Sequence, residues 1–302
     1  MKRIVFSALV FLVSAGLYAQ SQIVAALPEY WEHPTGKYEV EVDNDHFLPN
    51  HTVFYPKDLN AFPEEDTLPV LVMSGPGWDA TSSAFRAFFT EVASHGYLMI
   101  VDGVLTEETV NTGILPKNTK EDMEAGINWA FNENERHESI FFGKIDTGNV
   151  CLMGQSAGGL QALDLMNDPR VTLLNLFNSG IFVKKEGSPF NSMSRDKNEA
   201  FANMNKPIAY FVGGTDMARE NAEDDFKYIE NVPVVVAVRD IPGDAHAGTF
   251  RENNGGAFAV AAVHWLDWNT KGDLEAAKYF VGKDCGLSQD PLWIDVKKKN
   301  ID

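Results

Sequence analysis

Cysteine is scarce in this chain: its 302 residues contain two, Cys151 and Cys285. A framework of several disulfides, the usual staple of small exported domains, is therefore excluded. Neither cysteine has metal-ligand spacing, and no metal or cofactor is expected. A single bridge between them stays open, because nothing in the sequence places the two within the ~6 Å that a disulfide requires. Positive charge is also sparse: 25 Lys and Arg stand against 43 Asp and Glu, a formal net charge of −18. That balance argues against nucleic acid and anionic membrane surfaces as partners. Past the first residues there is no apolar run long enough to form a membrane helix. Internal repeats and low-complexity linkers are missing as well, which excludes a solenoid or an array of small modules.

The first residues are of a different kind. Lys2 and Arg3 precede the short apolar stretch from Ile4 to Leu17, and Leu17-Tyr18-Ala19 supplies a small-residue end. Residues 1–19 read as a secretory signal peptide with cleavage after Ala19. The apolar stretch is too short to span a bilayer comfortably. No cysteine follows the cleavage point, which argues against a lipid anchor. The expected product is a secreted or periplasmic protein of residues 20–302 with no membrane anchor. Loss of Lys2 and Arg3 takes its formal charge from −18 to −20.

With 44% hydrophobic and 11% aromatic residues, the chain has enough apolar surface for a large core. Short alternating stretches at 38–42 and 52–55 predict antiparallel strands. Continuous apolar runs at 69–73, 97–101, 149–153, 171–177, 207–212 and 232–238 predict strands buried on both faces. Helical patterns lie between them. In the first, Phe85, Phe88, Phe89 and Val92 fall at i, i+3, i+4 and i+7, and Gly96 stops it. Others start near Asn118, near Ala157, at Glu220 and at Gly256, and a last short helix is expected over 273–281. Strands and helices alternate from 69 to 270, which predicts one α/β domain with a mainly parallel sheet. Residues 179–206 form a polar insert, and 271–302 a C-terminal extension.

One stretch organises the rest. The strand ending at Met153 runs into Gly154-Gln155-Ser156-Ala157-Gly158-Gly159 and then a helix. Gly-x-Ser-x-Gly between strand and helix is the setting of a nucleophile elbow, with Ser156 at the tip of a sharp turn. The alternative is a glycine-rich loop with a structural serine, so the partners decide. Parallel sheets carry functional groups on loops at the carboxyl ends of their strands. There, Gly213-Gly214-Thr215-Asp216 puts an acid after one strand, and Asp244-Ala245-His246-Ala247-Gly248 puts a histidine after the next. A serine hydroxyl needs an imidazole to take its proton, and the imidazole needs a carboxylate to fix its tautomer. Taken singly, Asp216 also fits a helix N-cap and His246 an ordinary loop histidine. The strand ending at Phe177 carries no acid, which leaves Asp216 the best candidate. Of the other histidines, His264 reads as packed core, His95 as a partner of a helix end, and His33, His46, His51 and His137 as turn or surface residues. For an oxyanion hole, Ala157 would give one N–H, and the loop Gly75-Pro76-Gly77-Trp78 would give a second from Trp78.

With these residues in place, a resemblance becomes specific. Pro76-Gly77-Trp78, the helix after it, Ala93-Ser94-His95-Gly96-Tyr97 and the Gly154–Gly159 elbow are similar to small α/β-hydrolases. The resemblance is to the cutinase-like, polyester-hydrolase and chlorophyllase-like group, and more distantly to dienelactone hydrolases. It covers about residues 67–270. It implies an α/β-hydrolase fold, a mainly parallel twisted sheet with helices on both faces. It also implies the catalytic roles of Ser156, Asp216 and His246, and oxyanion N–H groups from Trp78 and Ala157. Three features depart from the pattern. Ala157 stands where polyester hydrolases carry Met or Gln-type side chains. The nucleophile is Ser156 where dienelactone hydrolases have Cys. The tail from Lys271 to Asp302 runs past the usual end.

The expected activity is cleavage of carboxylic esters through an acyl-enzyme on Ser156. The insert is short for a cap domain, so an open site and a bulky or polymer-borne ester, such as an acyl group on a polysaccharide, are expected. Two other readings stand beside it: a peptidase or amidase on the same residues, and a non-catalytic binding protein on a hydrolase scaffold.

Overall fold

The computed structural model describes residues 33–60, 62, 67–78, 85–104 and 118–301. The expected signal segment 1–19 lies outside the described residues. Among the described residues nine strands form one sheet: β1 (Val40–Asp43), β2 (His51–Pro56), β3 (Leu68–Ser74), β4 (Leu98–Asp102), β5 (Ile145–Gln155), β6 (Leu173–Phe177), β7 (Ile208–Gly213), β8 (Val234–Arg239) and β9 (Trp293–Lys299). Their order is β1-β2-β4-β3-β5-β6-β7-β8-β9. The six strands from β4 through β8 in this order are mutually parallel. Antiparallel strands join at both ends: β1 and β2 on one side, β9 on the other. The helices are α1 (Arg86–Ser94), α2 (Lys120–Glu135), α3 (Ala157–Leu165), α4 (Lys197–Phe201), α5 (Ala218–Tyr228), α6 (Gly256–Lys271), α7 (Leu274–Ala277) and α8 (Gly286–Gln289). This is the α/β-hydrolase fold.

Continuous apolar runs make the central strands because both sheet faces are covered. In β3, Val70 and Val72 enter one core with Met123 and Ile127 of α2 and Ala162 of α3. Leu71 and Met73, on the opposite face, enter a second core with Phe88 and Phe89 of α1 and Phe258 and Trp265 of α6. The second core is aromatic. Phe250 stacks on Phe85 at 4.2 Å and meets Phe88, Phe177 and Phe258 edge-on at 4.9–5.7 Å. The Trp265 indole N–H, fully buried, donates to the Leu174 carbonyl at 3.1 Å. Cys151 and Cys285 are buried free thiols.

The C-terminal extension adds an ordered strand, β9, in register against β8 from Val234↔Lys299 to Arg239↔Trp293. Its Lys297-Lys298-Lys299 is the composition of a protected sheet edge rather than of a buried strand. One sequence expectation changes: His51 is neither a turn nor a surface residue but 2% exposed in β2. Because β2 lies between β1 and β4, His51 faces Asp102, with Nε2 3.2 Å from its carboxylate. No helix among the described residues is long and apolar enough to cross a membrane.

Candidate active site

β5 and α3 meet at Ser156, whose φ of 55° and ψ of −115° put it in a region that non-glycine residues seldom occupy. The flanking glycines allow this turn. A Cβ on Gly154 would lie 2.2 Å from the Gly158 carbonyl carbon, and one on Gly158 would lie 2.0 Å from the Ser74 oxygen. The turn is bolted to its neighbours. Ser156 N–H donates to the Phe177 carbonyl at 3.0 Å, and the Ser179 hydroxyl donates to the Ser156 carbonyl at 2.7 Å.

The structure brings Ser156, His246 and Asp216 into one line, although 90 and 30 positions separate the pairs in sequence. Ser156 Oγ lies 2.9 Å from His246 Nε2, and His246 Nδ1 lies 2.5 Å from Asp216 Oδ2. The acidic partner fixes the tautomer: Nδ1 carries the proton toward Asp216, and Nε2 is left to accept from the serine hydroxyl. The Asp216 side chain is fully buried while that of His246 is 38% exposed, so the ring reaches solvent and substrate. Asp216 also serves as the helix-start partner foreseen for it, its Oδ1 accepting the N–H of Ala218 at the head of α5. Burial opposes the charged form of His246. The hydrogen bond and charge of Asp216, with the charge of Asp244, outweigh it and lift the imidazole above its ordinary 6.5. Asp244 also accepts the main-chain N–H of His246 at 3.1 Å and so shapes the loop.

Ala157 is the first residue of α3, so its N–H has no intrahelical acceptor and points out at the positive end of the helix. Across from it, Pro76–Trp78 forms a 3-10 turn, with Gly77 lining the same cavity as Ser156 and Ala157. Trp78 closes that turn. The turn is fixed to α3 by a polar bolt: Ser74 Oγ donates to Gln161 Oε1 at 2.8 Å, and Asn118 Nδ2 donates to Ser74 Oγ at 2.9 Å. Gly158 N–H donates to the Gly75 carbonyl at 3.0 Å.

Residues that the sequence did not single out hold the histidine loop. Gln155 Nε2 donates to the His246 carbonyl at 2.7 Å. Asn178, with φ of 45°, donates through Nδ2 to the carbonyls of Ala245 and His246, both at 3.0 Å. Its Oδ1 accepts the N–H of Gly213 at 2.8 Å, so it also grips the strand that delivers Asp216. The one signal for Asn178 was its place in Asn-Ser-Gly straight after a strand. The other histidines lie elsewhere: His95 pairs with Glu91 at 3.1 Å, and His264 stacks on Tyr279 at 4.5 Å.

A cavity of about 220 Å³ opens beside Ser156 and His246, walled mainly by Leu160, Phe182, Phe190, Met193 and Met217. Among the described residues no cluster of three or more His, Cys, Asp or Glu has the arrangement of a metal site.

Fold and site together define an α/β-hydrolase scaffold with a Ser-His-Asp arrangement at the carboxyl ends of its strands. No family model matches the chain. Over 108 residues it is 28% identical to Cutinase 1 of Thermobifida cellulosilytica, a match covering 36% of each chain. Over 108 residues it is likewise 28% identical to a cutinase of Thermobifida fusca (strain YX), covering 36% of this chain and 31% of that one. The chain thus matches about a third of the length of these curated relatives.

Proposed function

We propose that this protein is a serine hydrolase that cleaves carboxylic esters through an acyl-enzyme on Ser156. The observation that carries the reading is the continuous chain from Ser156 Oγ through His246 to the buried Asp216, at 2.9 and 2.5 Å. In this reading His246 takes the serine proton as Oγ attacks the ester carbonyl, then gives it to the departing alcohol. Asp216 holds the ring and stabilises the imidazolium. The N–H groups of Ala157 and Trp78 receive the oxyanion. Water then repeats the cycle on the acyl-enzyme. The stretch of similarity to cutinases supports ester chemistry, and the apolar cavity walls suit an ester with an uncharged apolar group. Residues 1–19 have the pattern of an export signal, so the proposed setting is outside the cytoplasm, with an ester on a bulky or polymer-borne carrier as substrate.

The test is hydrolysis of short p-nitrophenyl esters and labelling by a fluorophosphonate probe, for wild type and Ser156→Ala. Loss of a triad serine is expected to cut kcat by about 10⁴-fold or more and abolish labelling. Turnover of amides or peptides alone overturns the ester reading. A wild-type serine that stays unlabelled points instead to a binding protein.

A further inference from the structure

The segment 179–206, between β6 and β7, brings Phe182, Phe190 and Met193 to the cavity. Phe182 and Phe190 stack nearly parallel, with centroids 4.9 Å apart and planes at 11°. The segment has little regular structure of its own, a 3-10 turn over Pro189–Met193 and the five residues of α4. Its position is set by α5, and the fastening is ionic. Lys197, at the start of α4, puts Nζ 2.7 Å from Asp225 Oδ1 and 2.8 Å from Asp224 Oδ2. The Lys197 side chain is 5% exposed and that of Asp225 is fully buried. The second oxygen of Asp225 accepts the Ile181 N–H at 3.0 Å and the Tyr210 hydroxyl at 3.2 Å. Near it on α5, Asn221 Oδ1 accepts the Val183 N–H at 3.0 Å. Both the entry of the segment, at 181–183, and its later part, at Lys197, are thereby tied to one helix. That same helix begins at the residues that follow Asp216.

A buried ion pair is a poor choice for stability alone, because apolar residues of equal volume hold two elements together without the loss of hydration. A charged pair with every partner specified instead fixes one register. We infer that Lys197 and Asp225 are positioning residues of the substrate site: they fix the Phe182–Phe190 wall and so set which ester side group the cavity accepts. The inference rests on the proposed ester hydrolysis at Ser156. Burial pushes the Asp225 carboxyl up to about 6, against the pull of Lys197. The charged and titratable groups around it are Lys197 from the segment, Asp224 from α5 and Tyr210 from β7, with Arg195 acting on Tyr210. Protonation of Asp225 dissolves the pair with Lys197.

The experiment compares kcat and KM on p-nitrophenyl acetate and p-nitrophenyl hexanoate for wild type, Lys197→Met and Asp225→Asn. The double variant K197M/D225N is included because it leaves no unpaired buried charge and so retains the fold if a single variant does not. The ratio of kcat/KM for hexanoate over acetate is expected to drop roughly tenfold, through KM for hexanoate, with kcat on acetate within about threefold of wild type. In wild type the same ratio falls as the pH drops through about 6, and in D225N it is flat. His246 titration cancels in the ratio because both esters share it. A folded variant in which the two esters change in parallel, or not at all, overturns the inference while leaving the hydrolase reading intact. A wild-type ratio that is flat across that pH range also overturns it. Wild type that cleaves neither ester overturns the hydrolase reading and this inference with it.

Discussion

Asn178 holds His246 by its main chain, donating from Nδ2 to the histidine carbonyl at 3.0 Å. The same side chain accepts from Gly213 N–H at 2.8 Å, so one amide spans the histidine loop and the strand that leads to Asp216. Asparagine tolerates the left-handed backbone at this position, where φ is 45°. Asn178→Ala is therefore expected to lower kcat by about 10–100-fold with KM little changed, since a displacement of the base costs rate rather than binding. It also leaves the buried Gly213 N–H without an acceptor, a loss of about 1–3 kcal/mol in denaturant unfolding. Asn178→Asp keeps that acceptor but turns an oxygen toward the two carbonyls, and should lose activity as fully as the alanine variant. Steady-state kinetics on a p-nitrophenyl ester checks both.

The acid side of the pH–rate profile should report His246. A general base works only when neutral, so kcat/KM falls as the pH falls through the pKa of the ring. Burial works against the charged ring, but Asp216 outweighs it, so the midpoint is expected above 6.5. Removing the carboxylate charge with Asp216→Asn leaves burial as the stronger influence and should move the midpoint below 6.5, with kcat down by about 10⁴-fold. Stability runs the other way. The folded protein holds the His246 proton more tightly than the unfolded chain, so this contribution is full below pH 6.5 and is lost as the pH rises through the raised value. A profile of kcat/KM against pH, with thermal melts at the same pH values, reads both effects.

Placement that resides in a local pattern was legible in the sequence, and placement that resides in packing was not. The elbow could be read because Gly154 and Gly158, on either side of Ser156, mark backbone that approaches too closely for any Cβ. The strands β3 to β8 could be read because burial on both faces leaves an uninterrupted apolar run. Asp216 and His246 followed from being placed after such runs. Asn178 and Gln155 did not, because a side-chain amide bonded to a distant carbonyl has no sequence signature. The buried place of His51 is hidden for a related reason. Its neighbours look like a turn, but β2 pairs with β4, and the register brings it opposite Asp102. The Lys197–Asp225 pair was equally hidden, two charges that read as solvated surface until α4 and α5 pack together.

The elbow also makes a sharp prediction about size. A methyl group on Gly158 would come 2.0 Å from the Ser74 oxygen and 2.9 Å from the Gly75 oxygen, both main-chain atoms. Backbone cannot swing aside as the end of a long side chain can. Gly158→Ala must push α3 away from the loop that ends β3, breaking the bond from Gly158 N–H to Gly75. We expect a loss of about 3 kcal/mol or more in denaturant unfolding, at the upper end for overpacking. Whatever folds should be nearly inactive, because the same shift separates Ala157 from the 3-10 turn. At Gly143, where a Cβ meets nothing within 4 Å, alanine tests the opposite case. There φ is +66°, so the expected cost is only that of the strained backbone, about 1 kcal/mol, with activity unchanged.

The last strand explains a dependence on the C-terminal extension that its composition conceals. β9 covers the edge of β8 along its whole length, from Val234 to Arg239. Most of its side chains are only half-buried, and Lys297 and Lys298 spend their charges on Glu223, Asp295 and main-chain carbonyls. The anchor is Trp293, 5% exposed. Its ring lies 5.8 Å from Phe211 and 6.3 Å from Phe258, with the Arg239 guanidinium 5.2 Å above it. Phe211 and Arg239 belong to β7 and β8, the strands whose following loops carry Asp216 and His246. Trp293→Ala opens a cavity at that point and should cost about 3–5 kcal/mol. If β9 matters only as a cover, the variant loses stability and keeps its kcat at low temperature. If the anchor also steadies the loops that carry Asp216 and His246, kcat falls under conditions where circular dichroism shows the protein fully folded. The aromatic contacts bridge directly to β7, the strand that ends three residues before Asp216, so the second outcome is the one expected, with a fall of roughly tenfold.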